Sequence, residues 1–268
     1  MQPYFLAILL ILSIFPFITN GLIYKITLLQ FKIKLRFNEW FGLSVITSFY
    51  NLFTPLQGGL AVRSIYLKKK HNFSHSYFIS TTSLVMIVNS IISALIAIYA
   101  LIIFYLRRGI FSSLLFGILL AIVIGLGSFV FFFNQFTIRK ESFLHKITHP
   151  FKIWHHENIS IKMIIYVAIL SVIQIIIASF GFILAYKMLN VQINITEALF
   201  LSSMASLAVL ISITPGSLGI AEAVSVFSSI LLKISSTDAL TAALLLRLTS
   251  SLAIISLGLF YSYILFKK

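Results

Sequence analysis

The sequence contains no cysteine, only five prolines, two tryptophans and six acidic residues among 268. The absence of cysteine excludes disulfides, thiolate catalysis and cysteine-ligated metals. The shortage of carboxylates leaves little for acid–base pairs or oxygen-rich metal cages, and there is no hydrolase elbow, P-loop, zinc motif or carboxylate dyad. Charge of either sign is scarce at 10%, whereas hydrophobic residues reach 60% and the mean hydropathy is +1.07. So much apolar surface cannot be hidden inside a water-soluble domain. The expectation is an all-α polytopic membrane protein, not an enzyme, with no cofactor and no metal. Lys and Arg exceed Asp and Glu by 14, which in a membrane chain points to cytoplasmic loops and anionic headgroups rather than to nucleic acid.

Residues 3–24 form a first apolar run long enough to cross a ~30 Å hydrocarbon core. The leader Met1-Gln2-Pro3 carries no side-chain charge and no A-x-A-like site follows, so no signal cleavage is expected. Lys25, Lys32, Lys34 and Arg36 read as a basic connector on the membrane surface. Further spans are expected at 77–106, 111–133, 162–187 and 239–266. Between the second and third of these lies a basic loop, 134–161. Its His145, His149, His155, His156 and Glu157 could suit a metal, but the interleaved Phe143, Ile147, Phe151 and Trp154 favour an interfacial segment.

Two stretches interrupt this pattern. Thr214-Pro215-Gly216-Ser217-Leu218-Gly219-Ile220-Ala221-Glu222 stops and restarts a helix, since proline removes a backbone donor and clashes with the preceding turn. Thr54-Pro55-Leu56-Gln57-Gly58-Gly59-Leu60-Ala61-Val62-Arg63 does the same, and Thr, Pro, the last Gly and Ala recur at an offset of 160. The flanking helices, 41–54 and 60–67 in one half and 197–213 and 220–232 in the other, are each too short to span. Ser74 lies opposite Ser235 and Met86 opposite Arg247 at an offset of 161. The chain therefore reads as one transmembrane domain, 1–268, with repeat halves at about 3–106 and 162–266, a linking span 111–133 and a cytoplasmic loop 134–161.

Charge counting decides whether the broken elements cross. If each is a hairpin, one face collects Lys25, Lys32, Lys34, Arg36, Lys68, Lys69, Lys70, Arg139, Lys140, Lys146, Lys152, Lys162, Lys267 and Lys268. The other collects only Arg107, Arg108, Lys187 and Lys233. A single crossing by each would split the same residues nine and nine. The positive-inside rule favours hairpins, with the basic face cytoplasmic and the N-terminus outside; two complete crossings per element have the same parity, and charge does not separate them from a re-entrant loop. Three spans separate the hairpins, so they enter from opposite faces, as in inverted-repeat transporters.

The breaks also carry the candidate substrate-binding residues: Pro55, Gly58, Gly59, Arg63, Pro215, Gly216, Ser217, Gly219, Glu222 and Arg247. Helix restarts at Leu60 and Ile220 expose backbone N–H groups and a positive dipole end, suited to phosphate. Gly58, Gly59 and Gly219 admit a headgroup, and Arg63 and Arg247 add planar donor forks. Glu222 pairs with an arginine, receives a cationic headgroup or carries a proton; alternatively it forms a purely structural pair with Arg247. Asn51, Asn89 and Gln174 read as interhelical hydrogen-bonding groups, and Ser202 and Ser203 as residues for close packing.

These residues resemble the flippase-like transmembrane region of the lysylphosphatidylglycerol synthase family, from about Asn38 to the C-terminus. The resemblance rests on Asn51-Leu52-Phe53-Thr54-Pro55, Gly58-Gly59, Arg63, Ser74, the 214–222 element and Arg247. It implies an integral protein of a bacterial or archaeal plasma membrane that moves an anionic or aminoacylated phospholipid, or a lipid-linked headgroup, between leaflets. Where many relatives carry acidic residues the chain has Leu60 and Ala61, and where they carry a Glu-Arg pair it has Val85 and Met86. The partner expected on this reading is membrane phospholipid. The alternative is a non-transporting subunit that scaffolds, or presents lipid to, a lipid-modifying enzyme.

Overall fold

The computed structural model describes residues 3–109, 111–132 and 160–267. Among them there are helices and turns but no strand: α1 (Pro3–Leu12), α2 (Phe15–Leu29), α3 (Phe37–Phe53), α4 (Gly58–His71), α5 (His75–Arg108), α6 (Ser113–Phe132), α7 (Ile161–Met188), α8 (Ile195–Ala208), α9 (Ile220–Leu231) and α10 (Ser236–Phe266). Five apolar stretches are long enough to cross a membrane: Tyr4–Leu29, His75–Arg108, Ser113–Val130, Ile161–Met188 and Ser236–Phe266. With 17, 14, 14 and 12 residues, α3, α4, α8 and α9 fall short, because even 17 residues at ~1.5 Å each cover only about 25 Å. The chain is thus an all-α polytopic membrane protein, with five membrane-length helices and two broken pairs among the described residues.

The first span differs from the single helix expected over 3–24. It runs on to Leu29 and breaks at Ser13–Ile14, because Pro16, in the first turn of α2, has no N–H for the Leu12 carbonyl. Lys25 consequently lies within α2 rather than in the connector, its ammonium 5.9 Å from the centre of the Trp40 ring. The helix before the second break also ends early. The chain leaves α-geometry at Ala208, tightens into a 3₁₀ turn over Val209–Ile211, and is not helical to Ile213.

Both broken pairs fold back on themselves. Glu39 in the first turn of α3 lies 3.1 Å from both Lys70 Nζ and His71 Nε2 in the last turn of α4. The start of the first pair and its end therefore share one end of the bundle, as a hairpin requires and a single crossing forbids. Tyr66 of α4 packs edge-on against Phe266 at the end of α10, and Gln30 after α2 accepts from the Ser160 amide before α7. The opposite end gathers Arg108 of α5, bonded to Glu197 at the start of α8 at 2.5 Å, and Tyr186 of α7, bonded to Ser229 near the end of α9 at 2.6 Å. These are the two ends into which the charges were sorted.

The halves match in their helix starts as well as their breaks. Glu39 returns to the Arg36 amide at 2.9 Å and Glu197 to the Asn194 amide at 2.8 Å, each closing the first turn three residues into its helix. Ser74 caps α5 by accepting from the Tyr77 amide, and Ser235 caps α10 by accepting from the Asp238 amide. Each half also lays its last helix against the other half's broken element, α5 on α8 and α10 on α3. Fully buried Ala94, Ala97 and Ala100 on α5, facing Ala198 and Leu201, permit that approach, and the Ser179–Ser202 bond at 2.8 Å ties α7 to α8.

Candidate functional site

At the first break α3 ends at Phe53, and Leu56 and Gln57 carry the left-handed backbone, φ +53° and +56°. Gly58 and Gly59 are helical, so α4 begins at Gly58 rather than Leu60. These glycines serve packing instead of headgroup access: a Cβ on Gly59 would lie 2.0 Å from the Thr47 carbonyl oxygen, and one on Gly58 2.6 Å from Thr54 Oγ1. The expected open N–H groups are closed as well. The Gly58 amide donates to the Pro55 carbonyl, Gly59 to Asn51 Oδ1 at 2.8 Å, and Leu60 to the Gln57 carbonyl. Pro55 itself is exposed and lines neither cavity described below.

Arg63, one turn further on, is 3% exposed. Its Nη2 donates to the Leu43 carbonyl of α3 at 2.9 Å and its guanidinium stacks on Tyr24 of α2, 3.7 Å from the ring centre. Its Nε and Nη1 are buried and donate to no acceptor among the described residues. Both cation–π stacking and the single hydrogen bond hold the fork in place without neutralising it.

The second break is built differently. Gly216 and Ser217 take left-handed angles, φ +57° and +56°, within a 3₁₀ turn at Pro215–Ser217, and Gly219 has φ +82°. A Cβ on Gly219 would meet nothing within 4 Å, so its backbone faces open space. Glu222 accepts from the Gly219 amide at 2.8 Å through Oε2 and from Arg247 Nη1 through Oε1. Arg247 Nη2 donates to the Gly216 carbonyl at 2.6 Å. Arg247 and Glu222 therefore form an ion pair that also staples the turn to α10, with side chains 19% and 12% exposed.

The two breaks meet. The Leu56 amide donates to the Ile213 carbonyl at 3.3 Å, and Gln57 Nε2 donates to the Val209 carbonyl at 3.0 Å. Beside this junction lie two cavities of about 410 Å³ each. One is the more polar of the two, with Tyr24, Asn51, Arg63, Asn89, Gln174 and Ser206 set among apolar side chains such as Leu60, Val85 and Phe182. The other is largely apolar, with Leu9, Leu52 and Ile254 beside Gly216, Ser217, Glu222 and Arg247. Ala178, Phe182, Ala205 and Val209 line both, so the cavities adjoin.

Residues 1–258 match the family described as Lysylphosphatidylglycerol synthase TM region. The chain belongs to that family. No curated protein and no solved structure shows significant similarity to it. Membership gives the protein a lipid-related setting in the membrane and agrees with the resemblance read from its two breaks.

Of the ten residues singled out, the structure brings Arg63 to the polar cavity and Gly216, Ser217, Glu222 and Arg247 to the apolar one. Pro55, Gly58, Gly59, Pro215 and Gly219 line neither. Asn51, Asn89 and Gln174 come together in the Arg63 cavity. Asn51 and Asn89 also make the interhelical bonds expected of them, Asn51 to Gly59 and Asn89 to Ser206. Sequence reasoning missed Tyr24 and Asn20, which lie in an unbroken apolar helix and join the cavity only through packing. It also missed the cluster at the hairpin mouth. There burial penalises the Glu39 charge, but the Arg36 amide, Lys70 and His71 outweigh that and bring its carboxyl from an ordinary 4.5 down to about 2. No metal-ligating cluster occurs among the described residues, and the 145–157 histidine segment lies outside them.

Proposed function

We propose that this protein moves a phospholipid, anionic or aminoacylated, between the leaflets of a bacterial or archaeal plasma membrane, with the junction of the two breaks as the path. The observation that carries this reading is the meeting of two irregular segments within a bundle of membrane-length helices, flanked by one polar and one apolar cavity. Irregular backbone at membrane depth is tolerated where it is buried in protein or lines a wet cavity, and adjoining polar and apolar cavities suit an amphipathic cargo. The basic end of the bundle is cytoplasmic in this proposal, and single cysteines at Gly109 and Lys267 should label from opposite sides; labelling from the same side would reject it.

The chemistry needed is binding and release, without a covalent step. Arg63 offers donors to phosphate oxygens, and the Glu222–Arg247 pair fixes the turn through which the cargo passes. Reconstitution into liposomes tests this: a fluorescent phospholipid in the outer leaflet should become inaccessible to an impermeant quencher faster than in protein-free liposomes. Equal rates would leave a scaffold that presents lipid to a partner enzyme.

A further inference from the structure

We infer that the cargo is an anionic phospholipid whose headgroup carries no cation, its phosphate held by Arg63 and its remaining headgroup atoms by neutral amides and hydroxyls. This rests on the proposed role of the two cavities as the lipid path. Arg63 lines the polar cavity, is 3% exposed, and keeps two buried donors, Nε and Nη1, without an acceptor among the described residues. A buried charged donor left unmade is costly, so the cavity is organised to receive an acceptor. Among the described residues the rest of the lining is neutral: Tyr24, Asn20, Asn51, Asn89 and Gln174 supply polar atoms and no carboxylate lines the cavity. The cavity therefore carries one uncompensated positive charge.

That charge decides between the two headgroup classes. A phosphate diester supplies acceptor oxygens for the two free donors, which lie on different edges of the guanidinium. A lysyl or other cationic ester on the same headgroup would bring an ammonium into a site with a fixed guanidinium and nothing acidic to pair with. The neighbouring cavity does hold a carboxylate, Glu222, but both its oxygens are taken, one by Arg247 and one by the Gly219 amide. At about 410 Å³ the polar cavity lies in the range of small-molecule sites and is far larger than one phosphate needs. Amides and hydroxyls around the remaining volume suit a polyol such as glycerol.

The test is thermal stabilisation of the purified full-length chain by three probes: dihexanoyl phosphatidylglycerol, its lysyl ester and inorganic phosphate. The unesterified lipid should act at about tenfold lower concentration than the lysyl ester, and inorganic phosphate should be weaker than either lipid. Gln174→Glu, which places a carboxylate in the cavity at unchanged size, should narrow or reverse the preference; Asn20→Asp serves if that variant does not fold. Arg63→Lys should weaken phosphatidylglycerol by about tenfold, since a point charge replaces the fork. Equal potency of the two lipids on the unmodified protein, or a preference unmoved by the added carboxylate, overturns the inference. Phosphate as potent as the lipid overturns it too, leaving an ion site only. Binding with this preference but without transbilayer movement rejects the transport reading alone, and movement without the preference rejects this one alone.

Discussion

The two breaks share a sequence pattern and differ in what they leave open. At the first, every helix-start amide around Gly58–Leu60 has a partner, while the cation behind it, Arg63, keeps two free donors. At the second, Arg247 is neutralised by Glu222 and bonded to Gly216, while the backbone at Gly219 faces open space. One break thus has packed glycines and an open charge, the other an unpacked glycine and a closed charge. A repeat in sequence need not be a repeat in chemistry: offsets of 160 and 161 align Arg63 with Ala223 and Arg247 with Met86, so the arginine at each break has no counterpart at the other.

The closed charge gives the largest expected effect. Glu222→Gln leaves Arg247 partly buried without its counter-ion, and removing one partner of such a pair costs about 3 to 5 kcal/mol when burial is complete. Detergent-solubilised Glu222→Gln should melt well below the unmodified protein, and Glu222→Gln with Arg247→Gln should recover much of the loss. A stable single variant that no longer moves lipid would instead give Glu222 a direct part in transport and break the contrast.

Backbone closure comes next. Gly59→Ala drives a Cβ into the Thr47 carbonyl, which is backbone and cannot swing aside, so overpacking should cost about 1 to 3 kcal/mol. Gly219→Ala meets no atom and pays only for its left-handed angle, about 1 kcal/mol. Thermal melts of the two side by side should put Gly59→Ala lower; the reverse order would mean the first break is the looser one.

The smallest effect belongs to the mouth of the first hairpin. Glu39 is held below its ordinary range in the folded chain, so its contribution is complete above about pH 4.5 and fades as pH falls towards about 2. Glu39→Gln should lower stability by about 1 kcal/mol at neutral pH, because Lys70 is largely exposed to solvent. The gap between variant and parent should close across that window, and a gap that stays constant to pH 2 would remove the ion cluster from the account.

Much of this was legible in the sequence because it is local or arithmetical. Pro55 and Pro215 announce breaks by their missing donors, the 160-residue offset announces the repeat, and the distribution of lysines and arginines argues against a single crossing by each broken element. What the sequence could not give depends on distant partners. Leu56 and Gln57, rather than the glycines beside them, adopt the left-handed backbone, while Gly59 packs against Thr47. Asn20, Asn89 and Gln174 look like ordinary interhelical polar residues until α2, α5 and α7 converge around Arg63. Glu39 meets Lys70 and His71 across a fold-back of 31 and 32 residues, and no short-range periodicity signals that.

The central claim is that cargo passes where the two breaks meet, and the absence of native cysteine makes a direct test possible. Leu56→Cys with Ile213→Cys places two thiols at the contact between the breaks, where the Leu56 amide reaches the Ile213 carbonyl. After oxidative cross-linking in proteoliposomes, lipid movement should fall to the protein-free rate and return on reduction. Undiminished movement through fully cross-linked protein would contradict the account.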